Sequence, residues 1–158
     1  MGLEIERRFL VANETWKPLV RTSQELVQGY ILNERDKSVR VRVANDQAWL
    51  TIKGGTDVLN RMEFEYSIDA TEAREMIDSL CGGKVIEKVR HRFPAGGELT
   101  WEVDVFAGAN LGLTIAEIEL PSADTDFEKP DWLGTEISSD VRYLNSRLLK
   151  TPWISWAE

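Results

Sequence analysis

Cysteine and histidine are nearly absent from the chain, since Cys81 and His91 are the single examples of each. A lone cysteine cannot form an internal disulfide. One cysteine with one histidine also argues against a structural zinc site and against a Cys–His nucleophilic pair. If the chain holds a metal, carboxylates must supply the ligands, which favours hard cations such as Mg²⁺ or Mn²⁺.

Long apolar runs are also missing. The longest extend over only a few residues, far short of the ~20 that a membrane-spanning helix needs. The N-terminus shows no basic segment followed by an apolar one, which a signal peptide would require. We therefore expect a soluble cytoplasmic protein without a membrane partner.

Basic residues are fewer than acidic ones, with 19 Lys and Arg against 27 Asp and Glu, which gives a net charge of −8. Nucleic acid and anionic membranes would be repelled at long range, so neither is an expected partner. Any bound anion must be captured by a local cluster of cations. The length of 158 residues and the 42% hydrophobic content fit one domain over residues 1–158. A homodimer is compatible with these features and is not required by them.

Alternating polar and apolar residues predict eight strands, and few segments predict helices. One helix follows Thr71 as its N-cap and ends near Cys81, a second lies in 138–149, and a short helical turn lies in 14–20. Many strands with few helices favour an antiparallel sheet or barrel. The predicted strands are 3–11, 25–33, 37–44, 47–54, 59–68, 84–93, 99–108 and 113–120.

Most of these strands carry one charged face, and the sign of the charge is sorted by strand. The strands at 37–44, 47–54 and 84–93 are cationic, whereas the first and the last two are chiefly anionic. For any single strand, a solvated face is the simpler interpretation. For the whole set, sorted signs favour a charged interior in which cations grip a polyanion and acids hold divalent metals.

The residues "EIERR" at 4–8 resemble the ExExK signature of the CYTH superfamily, the triphosphate tunnel metalloenzymes. One such match is weak, but an ordered series of further matches runs along almost the whole chain. The series is "QGYI" at 28–31, "VRVR" at 39–42, "LTIKG" at 50–54, "RMEFE" at 61–65, "EKVR" at 87–90, "EVDVF" at 102–106 and "AEIEL" at 116–120.

This resemblance implies an α+β fold, in which a closed eight-stranded antiparallel β-barrel forms a tunnel with a few flanking helices. It implies five metal ligands for Mg²⁺ or Mn²⁺, namely Glu4, Glu6, Asp104, Glu117 and Glu119. It implies seven phosphate-binding cations, namely Arg8, Arg40, Arg42, Lys53, Arg61, Lys88 and Arg90.

Two of these cations are also candidate catalytic residues. Lys88 could donate a proton to the leaving phosphate, because the pKa of a lysine falls readily in cationic surroundings. Arg8 stands where the signature has lysine. Arginine binds phosphate bidentately but stays protonated, so a proton-transfer role at this position would be lost.

The resemblance leaves four functions open. The compact chain is most similar to bacterial inorganic triphosphatases, in which a metal-activated water cleaves a phosphoanhydride of tripolyphosphate. The alternatives are a class IV adenylate cyclase, a thiamine triphosphatase, and a polyphosphate- or nucleotide-binding module without turnover. Phosphoryl transfer depends on alignment and charge neutralisation, which agrees with the lack of a convincing protein nucleophile.

Overall fold

The computed structural model describes residues 5–55 and 62–156, and this part of the chain is mostly antiparallel β-sheet with few helices. Nine strands contribute to the sheet. They are β1 (Ile5–Val11), β2 (Thr22–Asn33), β3 (Lys37–Ala44), β4 (Gln47–Gly54), β5 (Met62–Ile68), β6 (Val85–Gly96), β7 (Leu99–Phe106), β8 (Thr114–Leu120) and β9 (Leu133–Glu136).

Helix α1 (Ala70–Leu80) confirms the first predicted helix, but its N-cap is Asp69 instead of Thr71. The Asp69 carboxylate accepts a hydrogen bond from the backbone N–H of Glu72 at 3.0 Å, which satisfies one of the free donors of the first turn. The predicted helix in 138–149 is largely wrong, because α2 spans only Asn145–Lys150. Single 3₁₀ turns occur at Lys17–Leu19, Gly108–Asn110, Val141–Tyr143 and Trp153–Trp156.

No helix within residues 5–55 and 62–156 is both long and apolar enough to cross a membrane. The longer of the two α-helices, α1, has 11 residues, about half the length of a spanning helix.

The described chain divides into two compact units. Unit 1 comprises the described residues up to Gln24 and those from Val89 onward, and unit 2 comprises Glu25–Lys88. In unit 2 the strand order is β5-β4-β3-β2, and in unit 1 it is β6-β7-β8-β1-β9. The pairs β2–β3, β3–β4, β4–β5, β7–β8, β1–β8 and β1–β9 are antiparallel.

Strand β9 was not predicted, and it affects the expected barrel. It pairs with β1 through Phe9–Glu136 and Val11–Leu133, so both edges of β1 are occupied. A Cβ on Gly134 would lie 2.9 Å from the Leu10 carbonyl oxygen, and only glycine permits this close approach. The described strands number nine and the sheet is not closed. The closed eight-stranded barrel implied by the resemblance is therefore not confirmed.

The core of unit 1 lies on the apolar face of β1, β7 and β8. Phe9, Trp101 and Ile118 are each at most 3% exposed, and Trp16 and Trp132 cover them. Burial of several large aromatic side chains supplies most of the favourable free energy of such a face. The opposite face of the same strands is thereby left to the charged residues, as the alternation predicts.

The core of unit 2 packs α1 against β3 and β4. Cys81, directly after α1, is fully buried beside Gly29 of β2. A Cβ on Gly29 would lie only 2.6 Å from the Cys81 Sγ atom. Glycine is therefore required at position 29 for this close packing.

We expect Gly29→Ala to lower the free energy of unfolding by about 1–3 kcal/mol, the usual cost of overpacking a core. Urea denaturation would show a lower midpoint with an unchanged slope. Gly54→Ala is the matched control, because the atom nearest to its Cβ is 3.6 Å away. Adding Cys81→Ala to Gly29→Ala should recover much of the loss. Equal stability of the Gly29 and Gly54 variants would contradict this packing.

Candidate active site

The antiparallel register brings charged residues of β1, β7 and β8 onto one face. Glu6 lies opposite Glu119, and Arg8 lies opposite Glu117. On the other side of β8, Glu102 lies opposite Glu117. Because directly opposed residues of antiparallel strands share a face, these five side chains project to the same side. We call this surface of unit 1 the carboxylate face.

Arg8 is held in place by two protein contacts. Its Nε donates to Glu117 Oε1 at 2.9 Å, and its Nη2 donates to the Tyr143 carbonyl oxygen at 3.1 Å. The side chains of Arg8 and Glu117 are only 11% and 12% exposed, so this pair is weakly screened by solvent. Arg8 therefore links the carboxylate face to the C-terminal segment.

Arg90 of β6 forms the best-defined ion pair on the carboxylate face. Its Nε and Nη2 donate to the two oxygens of Asp104 at 2.7 and 2.8 Å. It also lies 3.6 Å from Glu102 and 3.7 Å from Glu117. Burial alone would lower the pKa of Arg90, but the hydrogen bonds to Asp104 and the three nearby carboxylates raise this pKa above its ordinary value. Arg90 is thus a permanent cation among acids.

Arg92 extends this series of ion pairs along β6. Its Nε donates to Glu102 Oε2 at 2.7 Å, and its Nη1 donates to Gln24 Oε1 at 3.3 Å. Glu102 therefore contacts Arg92 on one oxygen and lies near Arg90 with the other. Arginines and carboxylates alternate across the face, which limits repulsion between the acids.

Negative charge is nevertheless in excess here. Burial raises the pKa of Glu117, and the charges of Asp104 and Glu6 raise it further, against the opposing effect of Arg8 and Arg90. Among the described residues, five carboxylates on the face stand against three arginines, which gives a net charge of −2 when all of them are ionised. The acids are Glu6, Glu102, Asp104, Glu117 and Glu119, and the cations are Arg8, Arg90 and Arg92.

The chemistry of these donors fits a hard divalent cation, because Mg²⁺, Mn²⁺ and Ca²⁺ prefer carboxylate oxygens. Their arrangement is not a ready metal cluster. Within residues 5–55 and 62–156, no three Asp, Glu, Cys or His side chains are grouped closely enough to hold a metal. Glu4, the first of the expected ligands, lies outside the described residues.

Unit 2 carries a separate cationic face on β3 and β4. Arg40 Nη2 donates to the buried Thr51 hydroxyl at 3.4 Å, and Thr51 donates in turn to Glu65 at 2.9 Å. The Arg40 Nε atom is buried and has no hydrogen-bond partner in the described part of the chain. A buried donor without a partner is costly, so the position of Arg40 carries a free-energy penalty in this structure.

Two further expected phosphate ligands lie on the same two strands. Arg42 Nε donates to the buried Gln28 at 3.4 Å. Lys53 Nζ lies 3.7 Å from Glu63, and this pair is about half exposed, so it contributes little stability. The Lys53 ammonium can therefore exchange Glu63 for another anion at low cost.

The structure divides the expected site residues between the two units. Unit 1 contains six of them and unit 2 contains four, while Glu4 and Arg61 lie outside the described residues. The six in unit 1 are Glu6, Arg8, Arg90, Asp104, Glu117 and Glu119. The four in unit 2 are Arg40, Arg42, Lys53 and Lys88, the last of them on β6 and half-buried.

Sequence reasoning did not assign several polar residues that contact these cations. Gln28, Thr51 and Glu102 are each hydrogen-bonded to an arginine of one of the two faces. Strand alternation places Glu102 on the same face of β7 as Asp104, so the sequence alone could have identified Glu102 as a site residue. The Tyr143 carbonyl contact with Arg8 spans 135 residues, and no local pattern indicates it.

The chain is similar to known proteins along almost its whole length. The model of the CYTH domain family matches residues 2–148. The chain is 49% identical to a protein from Acetivibrio thermocellus named inorganic triphosphatase, and the match covers the full length of both proteins. It is 36% identical over 92% of its length to a protein of the same name from Nitrosomonas europaea, covering 95% of that protein.

The fold is also similar to that of a solved structure. A crystal structure of an inorganic triphosphatase superimposes with a TM-score of 0.80 and 32% identity. The superposition covers 94% of this chain and 95% of that one. The chain therefore belongs to the CYTH domain family.

The raised pKa of Glu117 predicts how stability responds to pH. The folded protein retains the Glu117 proton at pH values where the unfolded chain has already lost it, so wild-type stability falls as pH rises from about 4.5 toward the raised folded pKa. We expect Glu117→Gln, which cannot titrate, to gain stability relative to wild type over this interval.

The measurement is urea denaturation of both proteins from pH 4 to pH 8 in EDTA. Glu14→Gln is the control, because Glu14 is mostly exposed and pairs with Lys17. A stability difference between wild type and Glu117→Gln that does not change with pH would show that Glu117 has an ordinary pKa.

Proposed function

We propose that this chain is a divalent-cation-dependent inorganic triphosphatase, a hydrolase of the phosphoanhydride bond of tripolyphosphate. The observation that carries the proposal is the carboxylate face, where partly buried arginines alternate with acids and negative charge is in excess. The near-complete match to two proteins named inorganic triphosphatase supports the choice of substrate.

The proposed metal ligands are the acids of β1 and β8. Glu6 and Glu119 are exposed and lie directly opposite each other, and Glu117 lies one position further along the same face. Glu4 joins this set through the family resemblance. A bound Mg²⁺ or Mn²⁺ would neutralise phosphate oxygens and lower the pKa of the attacking water.

The proposed substrate contacts are arginines and lysines. Arg8 and Arg90 hold phosphate oxygens at the carboxylate face, and their planar guanidinium groups suit this bidentate role. Arg40, Arg42 and Lys53 on β3 and β4 are assigned to phosphate binding through the family resemblance. Arg61 is assigned to the same role through the resemblance alone.

Lys88 is the proposed proton donor to the leaving phosphate. It is half-buried on β6 and follows the acid Glu87 in the chain. The Lys88 ammonium would supply this proton as a general acid. If Lys88→Ala keeps the turnover of wild type, this role is wrong.

The cytoplasmic location and the homodimer stay predictions.

Phosphate release from four substrates tests the proposed function directly. We expect inorganic triphosphate to be hydrolysed faster than ATP, thiamine triphosphate or pyrophosphate with Mg²⁺ or Mn²⁺ present, and no release in EDTA. The reaction with ATP is also assayed for cyclic AMP. Tight binding of inorganic triphosphate without phosphate release over hours would indicate a binding module instead.

A second test concerns Arg8. Because arginine stays protonated at ordinary pH, Arg8 acts by binding and not by proton transfer. We expect Arg8→Lys to keep kcat within about tenfold of wild type and Arg8→Ala to lose about 10–100-fold, which corresponds to one charge-assisted hydrogen bond. A rise in kcat above tenfold for Arg8→Lys would instead show that a lysine here moves a proton.

A further inference from the structure

Asp104 differs from the other acids of the carboxylate face in its burial. It is 1% exposed, and both of its oxygens accept hydrogen bonds from Arg90. Glu6 and Glu119, in contrast, are exposed. A buried carboxylate is expensive unless it is paired, so removing Asp104 from Arg90 to bind a metal would leave a partly buried arginine without its main partner.

The strand register also separates Asp104 from the exposed acids. Asp104 lies opposite Ile115 of β8, whereas Glu6 lies opposite Glu119. Four residues of β8 separate these two positions, or about 13 Å at ~3.3 Å per residue. A divalent cation takes its oxygens at about 2.0–2.6 Å, and Glu117 lies between the two positions. The acids at the exposed end can therefore share an ion without Asp104.

The pair with Asp104 fixes the orientation of Arg90. A guanidinium has five N–H donors, and two of them are used by the two Asp104 oxygens. The next carboxylates lie 3.6 and 3.7 Å away, beyond good hydrogen-bond distance. The bidentate pair thus holds the guanidinium plane still and leaves its other N–H groups for a phosphate oxygen.

We propose that Asp104 is a positioning residue that orients Arg90 toward the triphosphate, and that it is not a metal ligand. This reassigns one of the five acids that the family resemblance placed in the metal site. The inference depends on the proposed function only for the identity of the anion.

The test measures metal and anion binding separately in Asp104→Asn and in Glu119→Gln, the matched control at the exposed end. Mn²⁺ binding without substrate is followed by electron paramagnetic resonance, and binding of inorganic triphosphate in EDTA by calorimetry. We expect Asp104→Asn to keep the Kd for Mn²⁺ within about threefold of wild type and to weaken triphosphate binding at least tenfold. Glu119→Gln should show the opposite pattern.

Arg90→Lys provides an independent measurement, because lysine cannot form the bidentate pair. We expect Arg90→Lys to weaken triphosphate binding, and the addition of Asp104→Asn to this variant to cause little further loss, since the two residues act together. If Asp104→Asn fails to fold, Arg90→Lys with unchanged Mn²⁺ affinity and weakened triphosphate binding supports the proposal.

A tenfold or greater loss of Mn²⁺ affinity in Asp104→Asn would overturn the proposal, and so would unchanged triphosphate binding. Either result leaves the proposed function intact if wild type still releases phosphate from inorganic triphosphate. If wild type releases no phosphate but binds triphosphate, the proposed function fails while the binding measurements still decide the role of Asp104.

Discussion

The antiparallel pairing of β1 with β8 determines the whole arrangement of the carboxylate face. It sets Glu6 against Glu119 and Arg8 against Glu117, and the same register packs Phe9 and Ile118 into the aromatic core behind them. A slip of one residue would turn every side chain to the opposite face. The acids would then be buried and the aromatic residues exposed, so the apolar core and the charged face specify the same register.

On the carboxylate face, each arginine is neutralised by a carboxylate, but the face as a whole is not neutral. Each arginine of the carboxylate face is paired with a carboxylate, which makes its burial tolerable. The face as a whole still has surplus negative charge, and the pKa of Glu117 is raised by its burial and, in addition, by the charges of Asp104 and Glu6. This combination suits a surface that receives a divalent cation together with a polyanion, since neither ligand alone neutralises both the exposed acids and the arginines.

Much of the fold follows from the alternation in the sequence, because strands with one apolar face leave a clear two-residue pattern. The strands 37–44 and 47–54 were predicted with the observed bounds, and α1 within two residues. The four-residue β9 was missed because Leu133–Glu136 is short and contains Gly134, and its pairing with β1 depends on tertiary structure. The helix predicted at 138–149 was too long, because α2 spans only Asn145–Lys150. An apolar stripe alone therefore does not establish a helix.

For the candidate active site, the sequence predicts which acids and cations lie on each strand face. It does not predict which acid forms an ion pair with which cation. Arg90 and Asp104 are 14 residues apart, and Arg8 and Glu117 are 109 apart. Which acid meets which arginine depends on register and burial, and neither is visible in a local pattern. Asp104 was therefore grouped with the metal ligands, although its burial and its bidentate partner distinguish it from Glu6 and Glu119.

The position of β9 also bears on the order in which the protein folds. β1 precedes both of its partners in the chain by a long stretch, since these are β8 at 114–120 and β9 at 133–136. Pairing over such sequence distances is slow, because the chain must close long loops before any contact forms. During synthesis, β1 therefore stays unpaired at both edges until β8 and β9 have left the ribosome, and we expect this interval to be the period of greatest risk of misfolding.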